Sequence, residues 1–507
     1  MNKVNISRLF FNNRHAALFE IEQQKPVLFD VVTSSTYELT LDEAEKIKQM
    51  NNLEETLKQS FVEKHLSRLN GFISQGLLFG PDYRRQRPKY EKRLMLQDVV
   101  VQIAYTCNFA CTYCYADEGE YGGGKAYTMT EQVARDLVDF SFKNRATNSL
   151  GFCLLGGEPL LNMKAVKALV SYAREKGQQE GVIVEFLLTT NGTPVSPNTM
   201  QYFKDNDVAI RLSVDGTREI HDHYRPTKKG KPTFDMVNNT FGKSMKDSGV
   251  DYSVRATLFG PYGESIQEQV RTLFEDYNYE NVKVDFIWGV EGTPGLITEQ
   301  NIDSVYKGID TLGSWFKDKV MNKELNWYDL EPFSKYIGRI RKVPKVSPLF
   351  NTDDIKSNYV GGSILENNGV ECGAGINVIS ISANGDIYSC HRTEGKKEFK
   401  MGSIYEGVSM QHLDYWGTHW RLEDENADCS KCWARYICIG GCPAFGFDKH
   451  KDPMKCDRVK CNVRRQFIAN SVILNHEMKK IEKEQGISLD PPAKSCNVNK
   501  NCKNCTE

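Results

Sequence analysis

From residue 98 onward, short apolar runs alternate with helix-compatible stretches; the runs fall at 99–103, 152–155, 182–189, 208–214, 252–258 and 282–288. This rhythm predicts βα units, a parallel sheet, and a functional site at the C-terminal ends of the strands. Six such units suit a partial barrel, open on one side, better than a closed eight-fold one. Residues 1–80 read differently, as a small α/β unit. Strand-like runs at 17–21 and 27–32 flank a turn at 23–26. Thr40 with Glu43 forms a capping box that opens a short helix, and Val62, Leu66, Leu69 and Ile73 keep helical spacing up to Gly76. The stretch 81–92, with five arginines or lysines and two prolines, reads as a linker.

Beyond the barrel pattern, residues 300–370 are charged and mixed, which suggests connecting helices. Residues 371–465 are dominated by cysteine, glycine and short turns, and the chain from about Lys479 is polar up to its CNVNKNCKNC ending. The expected organisation is a first unit over 1–85, a linker over 86–97 and a barrel over 98–300. Connecting helices (301–370), a cysteine-rich domain (371–475) and a mobile tail (476–507) follow. The chain shows no internal repeat.

A length of 507 residues argues for two to four domains. A net charge of -1 gives no field to draw in nucleic acid. No apolar run approaches the roughly 20 residues a membrane helix needs, and residues 1–13 lack the pattern of a signal peptide. The expected location is the cytoplasm. There, the 15 cysteines point to metal ligation rather than disulfides. Three lie within one short stretch (Cys107, Cys111, Cys114), Cys153 stands alone, and eleven fall beyond residue 370. Separate metal-binding regions follow from that distribution.

Cys107, Cys111 and Cys114 form C-x3-C-x2-C in a loop after the first barrel strand. Three thiolates can hold three irons of a [4Fe–4S] cluster and leave the fourth iron without a protein ligand. The amine and carboxylate of an amino acid, such as the methionine end of S-adenosylmethionine (SAM), can chelate that open iron. A structural zinc site instead uses four ligands with paired C-x2-C spacing.

With Tyr113 just before the third cysteine, this loop resembles the motif of the radical SAM superfamily. Later strand ends add to the resemblance. Gly156, Gly157 and Glu158 stand in a GGEP loop after the second strand, which in the family receives the SAM amino group. Asn191 in TTNGT, and Ser213 and Asp215 in LSVDG, match positions that contact the SAM ribose and carboxylate. Arg255 resembles an arginine that pairs with that carboxylate. The resemblance spans about residues 98–290 and implies a partial (β/α)6 barrel.

The distal cysteines resemble the SPASM domain of radical SAM peptide-modifying enzymes: Cys372, Gly385 and Cys390, then Cys429, Cys432, Cys438 and Cys442, then Cys456 and Cys461. The resemblance implies two auxiliary [4Fe–4S] clusters, one on Cys429, Cys432, Cys438 and Cys461, the other on Cys372, Cys390 and Cys442. The fourth ligand of the latter is open between Cys456 and a substrate cysteine.

The first unit resembles the winged-helix-like element by which peptide maturases add a leader peptide to a sheet edge. The expected partners are therefore a ribosomally made precursor peptide and a flavodoxin or ferredoxin as electron donor. Sulfatase maturases of the same family carry an aspartate base after the cysteine corresponding to Cys390. Here that residue is His391, a candidate base, and the SCHRTEG context looks closer to thioether-forming maturases of sactipeptide or ranthipeptide type. Carbon–carbon coupling, epimerisation and formylglycine formation are the alternatives. Cys153 is expected to be a small buried apolar residue. The tail cysteines Cys496, Cys502 and Cys505 could capture metal or occupy the active site.

Overall fold

The computed structural model describes residues 4–11, 14–21, 24–50, 52–53, 55–75, 78, 92–121, 127–289, 291–341, 373–418 and 429–490. Cys372, Cys496, Cys502, Cys505, residues 86–91 of the expected linker and residues 342–370 lie outside them.

The first unit is an antiparallel sheet, β1 (Val4–Phe11), β2 (Arg14–Ile21), β3 (Val27–Asp30) and β4 (Thr36–Glu38), in that spatial order. It is followed by α1 (Leu41–Met50), α2 (Glu55–His65) and α3 (Asn70–Ser74). The capping box at α1 is present: the Glu43 N–H donates to Thr40 Oγ1 at 3.2 Å and the Thr40 N–H to Glu43 Oε2 at 2.8 Å. The single helix expected up to Gly76 is broken, because a 3-10 turn at Ser67–Leu69 separates α2 from α3. Leu66 and Leu69 are nevertheless both buried in this unit's own core. The other face of the sheet docks elsewhere: the rings of Phe19 and Phe29 meet Trp433 edge-on at 5.3 and 6.5 Å.

All six expected barrel strands form: β5 (Asp98–Gln102), β6 (Ser149–Leu155), β7 (Ile183–Thr190), β8 (Val208–Ser213), β9 (Tyr252–Leu258) and β10 (Val282–Phe286). Neighbours pair in parallel throughout. Between them run α4 (Glu131–Lys143), α5 (Met163–Glu180), α6 (Pro197–Asp205), α7 (Arg218–Tyr224), α8 (Lys243–Ser248) and α9 (Ile266–Glu275). Leu150, Phe152 and Leu154 of β6 are buried, while Ser149, Cys153 and Leu155 are half-buried on the other face. This alternation separates a helix-covered face from a lumen-facing one. Cys153 is thus not a fully buried filler. Its thiol is pushed up to about 11 by burial and feels Arg211 and Lys283, both of which line a cavity inside the barrel.

The sheet runs further than six strands. After α10 (Ile302–Met321), β11 (Leu330–Glu331) adds in parallel to β10 and leads into α11 (Phe333–Arg341). On the opposite edge, β12 (Val378–Ile381) pairs in parallel with β5. The strands β13 (Asp386–Tyr388), β14 (Lys400–Ser403) and β15 (Gly407–Val408) continue antiparallel beyond it. The cysteine-rich region is therefore continuous with the barrel sheet. Residues 95 and 97 of the expected linker belong to this junction, their N–H groups donating to the carbonyls of Ile376 and Asn377.

The expected tail boundary also moves. A helix over Arg458–Gln485 runs through residues 476–485, packs on α10 and α11, and buries Val463, Phe467, Val472 and Met478. Apolar residues at helical spacing carry it past Lys479, where polar composition alone suggested a tail. No helix among the described residues is long and apolar enough to cross a membrane.

Candidate functional site

The loop after β5 brings Cys107, Cys111 and Cys114 to the C-terminal ends of the barrel strands, where they line one cavity with Tyr113, Gly156, Gly157, Glu158, Asn191, Ser213 and Arg255. The glycines are dictated by a close approach. A Cβ on Gly157 would lie 2.2 Å from the Thr106 carbonyl oxygen, and one on Gly156 2.6 Å from that of Ala104. Glycine is what lets the β6 turn press on the cysteine loop. The contact is sealed by the Gly157 N–H donating to Ala104 O and the Glu158 N–H to Thr106 O, at 2.7 and 2.9 Å.

Glu158 is fully buried. Its carboxylate accepts from the N–H of Asn191 at 2.7 Å, the N–H of Leu160 at 3.0 Å and Thr190 Oγ1 at 2.7 Å. Burial nevertheless pushes its pKa up to about 7, against those bonds. Asn191 bridges back to the loop, donating to Asn108 Oδ1 at 2.9 Å and to Cys107 Sγ at 3.7 Å. Asp215 does not line the cavity. It lies behind the wall, where its carboxylate accepts from Tyr113 Oη at 2.5 Å and from the Thr257 N–H at 2.7 Å.

Three residues that the motifs did not single out belong here. Arg225, from the IHDHYRP stretch, is buried, donates to Tyr113 Oη at 2.7 Å and sits 3.8 Å from Asp215. Burial opposes its charge, but Tyr113, Cys111 and Asp215 outweigh that and hold its pKa well above the ordinary value. Its Nε is buried without a hydrogen-bond partner. Asp285, at the end of β10, accepts from Trp288 Nε1 at 3.1 Å. Burial works against its ionisation, yet Lys460, Arg255 and Arg392 keep its pKa low. Lys460 is buried over the Phe445 ring at 3.3 Å, and burial pushes its pKa down to about 7. A period-2 reading of β10 (Val-Lys-Val-Asp-Phe) flags Lys283 and Asp285 as lumen-facing. Nothing local flags Arg225 or Lys460.

Burial pushes Cys107 up to about 11 and Cys111 up to about 12, and raises Cys114 as well. Iron takes thiolate, so cluster assembly on this loop releases protons. The donor set fits a cluster with one open iron: three soft thiols, a cavity of about 190 Å³ beside them, and an unsatisfied guanidinium nitrogen in its wall.

The same cavity is walled by His391 and Arg392 as well, which pack on the ring of Tyr115 beside Cys114. Cys390 Sγ lies 3.7 Å from His391 Nδ1 and accepts the Arg392 N–H at 3.4 Å. Burial drives the His391 imidazole down to about 3, with Arg392 and Arg255 adding to it, so the ring is neutral. Cys442 and Arg392 both act on Lys460, which joins this wall to the second thiol region.

That region gathers Cys429, Cys432, Cys438, Cys456 and Cys461 around a cavity of about 460 Å³. Cys429 and Cys456 sulfurs are 3.2 Å apart, and a hydrogen bond from Cys456, followed by burial, raises the pKa of Cys461. Cys456 thus sits with the Cys429 group rather than completing a site at Cys390 and Cys442. Among the described residues, no group of three or more His, Cys, Asp or Glu side chains is drawn together as a single-ion site. The thiols ring cavities instead.

The model of the Radical SAM superfamily matches residues 101–275. A cysteine-type anaerobic sulfatase-maturating enzyme of Clostridium perfringens (strain 13 / Type A) is 31% identical over 350 residues, 66% of this chain and 85% of that protein. A serine-type anaerobic sulfatase-maturating enzyme of Bacteroides thetaiotaomicron is 25% identical over 374 residues, covering 70% and 84%. The solved structure of native anSMEcpe with bound AdoMet and Kp18Cys peptide superposes with a TM-score of 0.60 at 18% identity, over 76% of this chain and 99% of that one. The chain belongs to the radical SAM superfamily. Membership implies a [4Fe–4S] cluster and SAM.

Proposed function

We propose that this chain is a radical SAM peptide maturase that takes hydrogen from a ribosomally made precursor and joins a peptide cysteine sulfur to the resulting carbon, in the sactipeptide or ranthipeptide manner. In this reading Cys107, Cys111 and Cys114 hold the SAM-binding cluster. Gly156, Gly157, Glu158, Asn191, Ser213 and Arg255 receive SAM, with Arg225 Nε as a further donor for its carboxylate. Together the cluster and SAM supply a 5′-deoxyadenosyl radical able to abstract hydrogen. Tyr113 and Asp215 fix the loop, and the apolar faces of Ile287 and Trp288 keep water from the reacting carbon.

The observation that carries the reading is that one cavity is lined both by the three-cysteine loop and by His391 and Arg392, the two residues that follow Cys390. Forming a carbon–sulfur bond from a carbon radical and a thiol releases one electron and one proton. Auxiliary clusters, if held by Cys429, Cys432 and Cys438 with Cys456 or Cys461, and by Cys372, Cys390 and Cys442, would give the electron a destination. In this reading His391, neutral and lining the cavity, accepts a hydrogen bond from the thiol. A leader peptide would add to an edge of the β1–β4 sheet, and a flavodoxin or ferredoxin would deliver electrons.

A second reading has support of its own, since both relatives above are named sulfatase-maturating enzymes. It has the same cavity oxidise a cysteine or serine to formylglycine. Mass spectrometry after anaerobic reaction with SAM, dithionite and a cysteine-rich precursor separates the two. Loss of two hydrogens with a cysteine protected from alkylation supports the thioether. An aldehyde trapped by hydrazide supports formylglycine. Loss of two hydrogens with every cysteine still alkylatable would replace both with carbon–carbon coupling.

A further inference from the structure

Most charged groups around the cavity at the cysteine loop already have a role. Glu158 is held by three hydrogen bonds, and in the reading above Arg225 and Arg255 receive the SAM carboxylate. Asp285 and Arg392 line the same cavity and have none assigned. They come from different parts of the fold: Asp285 from the end of β10, inside the barrel, and Arg392 from the 3-10 turn at His391–Thr393, in the cysteine-rich region.

On Asp285 one oxygen is satisfied and the other is not. Oδ1 accepts from the Phe286 N–H at 2.9 Å and from Trp288 Nε1 at 3.1 Å. Oδ2 has, among the described residues, only Arg255 Nη2 at 3.6 Å, an ion pair too long for a hydrogen bond. Although Asp285 sits on an inner strand, 48% of its side-chain surface is open. Arg392 is a guanidinium gripped by rings: its Cζ lies 5.0 Å from the centre of the Tyr115 ring and 4.8 Å from that of Phe445. Aromatic faces hold the flat side of a guanidinium and leave its N–H edge free. Among the described residues that edge makes no hydrogen bond and no ion pair. Only the main-chain N–H of Arg392 is engaged, donating to Cys390 Sγ at 3.4 Å.

The cavity wall thus carries a free acceptor and a free set of donors, of opposite charge and equal size. A ligand with a net charge would be drawn by one and repelled by the other. A neutral group that offers both an N–H and a carbonyl oxygen satisfies both, and an amide is that group. We infer that Asp285 and Arg392 bind amide groups of the peptide substrate, Asp285 Oδ2 accepting from an amide N–H and the Arg392 guanidinium donating to an amide carbonyl. The inference rests on the proposed peptide-modifying function and deepens it. The amides come from the peptide main chain or from an asparagine or glutamine side chain next to the reacting residue. Because Arg392 follows His391, the amide it holds lies beside the cysteine that His391 receives in that reading.

The test uses the full chain with its clusters reconstituted and SAM bound, immobilised anaerobically. The probe is a mixture of N-acetylated, C-amidated heptapeptides with a central cysteine and randomised flanks. Retained peptides are sequenced by mass spectrometry, and the one held best is resynthesised with each main-chain amide replaced in turn by an ester or a thioamide. An ester removes the N–H donor without adding bulk, and a thioamide weakens the carbonyl acceptor. One ester should weaken binding about tenfold, and one thioamide severalfold. Asp285→Asn should remove most of the sensitivity to the ester, and Arg392→Met most of the sensitivity to the thioamide. The two variants are independent, so either remains informative if the other fails to fold. If no main-chain replacement matters but changing a retained Asn or Gln to Leu weakens binding, with the same dependence on Asp285 and Arg392, the amide belongs to that side chain. Binding insensitive to all these changes, or a sensitivity that the folded variants keep, overturns the inference. Formation of 5′-deoxyadenosine by the wild-type preparation is measured alongside. Cleavage with insensitive binding rejects the amide site alone, whereas absence of cleavage or of any retained peptide strikes the proposed function.

Discussion

Cys107, Cys111 and Cys114 come from one loop, whereas Cys429, Cys432, Cys438, Cys456 and Cys461 are collected from turns, a short helix and the start of the helix over Arg458–Gln485. The first site has three thiols, and its wall takes Glu158, Asn191 and Ser213 from strand ends and Arg225 from the end of α7. The second has five thiols around a larger cavity, one more than a [4Fe–4S] cluster uses. One site is thus short of ligands and the other has a spare. A site short of protein ligands can bind and activate a small molecule. A site ringed by thiols is suited to holding an electron.

The largest effect that would break this comparison is at the first loop. Cys111→Ala should abolish 5′-deoxyadenosine formation and remove about four irons per chain, measured by chromatography and iron assay. Retained cleavage would show that the loop is not the reactive site. Next comes the redundancy of the second region. Cys456→Ala and Cys461→Ala should each keep the iron of that cluster, and the double variant should lose it. A single variant that already loses it would remove the spare thiol from the account. Arg225→Met should follow, weakening SAM binding by about tenfold, the scale of one charge-assisted hydrogen bond. Equilibrium dialysis of the reconstituted protein reads this, and unchanged binding would return the carboxylate to Arg255 alone.

The smallest effect concerns the seam between the two regions. Glu394 accepts from Tyr105 Oη and from Ser380 Oγ, linking the chain after β5 to β12. Burial raises its pKa to about 8 from an ordinary 4.5. Between those values the folded state keeps a proton that the unfolded state has released. The contribution of Glu394 is therefore fully present below pH about 4.5 and falls as pH rises toward 8, by about 1.4 kcal/mol per unit at most. Glu394→Gln should flatten that slope in urea melts from pH 5 to 8. An unchanged slope would assign it to other groups.

The barrel strands and the residues that line the cavity at the cysteine loop were legible because alternating apolar runs and short motifs are local signals. Gly156 and Gly157 show why: a turn so close that an added Cβ would meet a neighbouring carbonyl oxygen at 2.6 Å or less leaves a glycine pair in the sequence. What was not legible depends on partners distant in sequence. Pairing of β12 with β5 joins residues 378–381 to residues 98–101, and neither run announces the other. The placement of Cys456 beside Cys429 required the fold of the whole region, since the sequence offered it only as a fourth ligand for the site of Cys372, Cys390 and Cys442. The continuation of the helix past Lys479 was obscured because none of its positions there is buried and most are charged. Arg225 and Lys460 are charges buried among aromatic rings and thiols, a placement composition cannot reveal.

The most direct test of the central claim is deuterium transfer. A precursor peptide carrying deuterium on the carbons of its modified residue is turned over anaerobically with unlabelled SAM, and the 5′-deoxyadenosine is weighed by mass spectrometry. The account predicts one deuterium in each molecule formed in step with product. Unlabelled 5′-deoxyadenosine accompanying modified peptide, with every carbon position of that residue tested, would contradict hydrogen abstraction from the peptide.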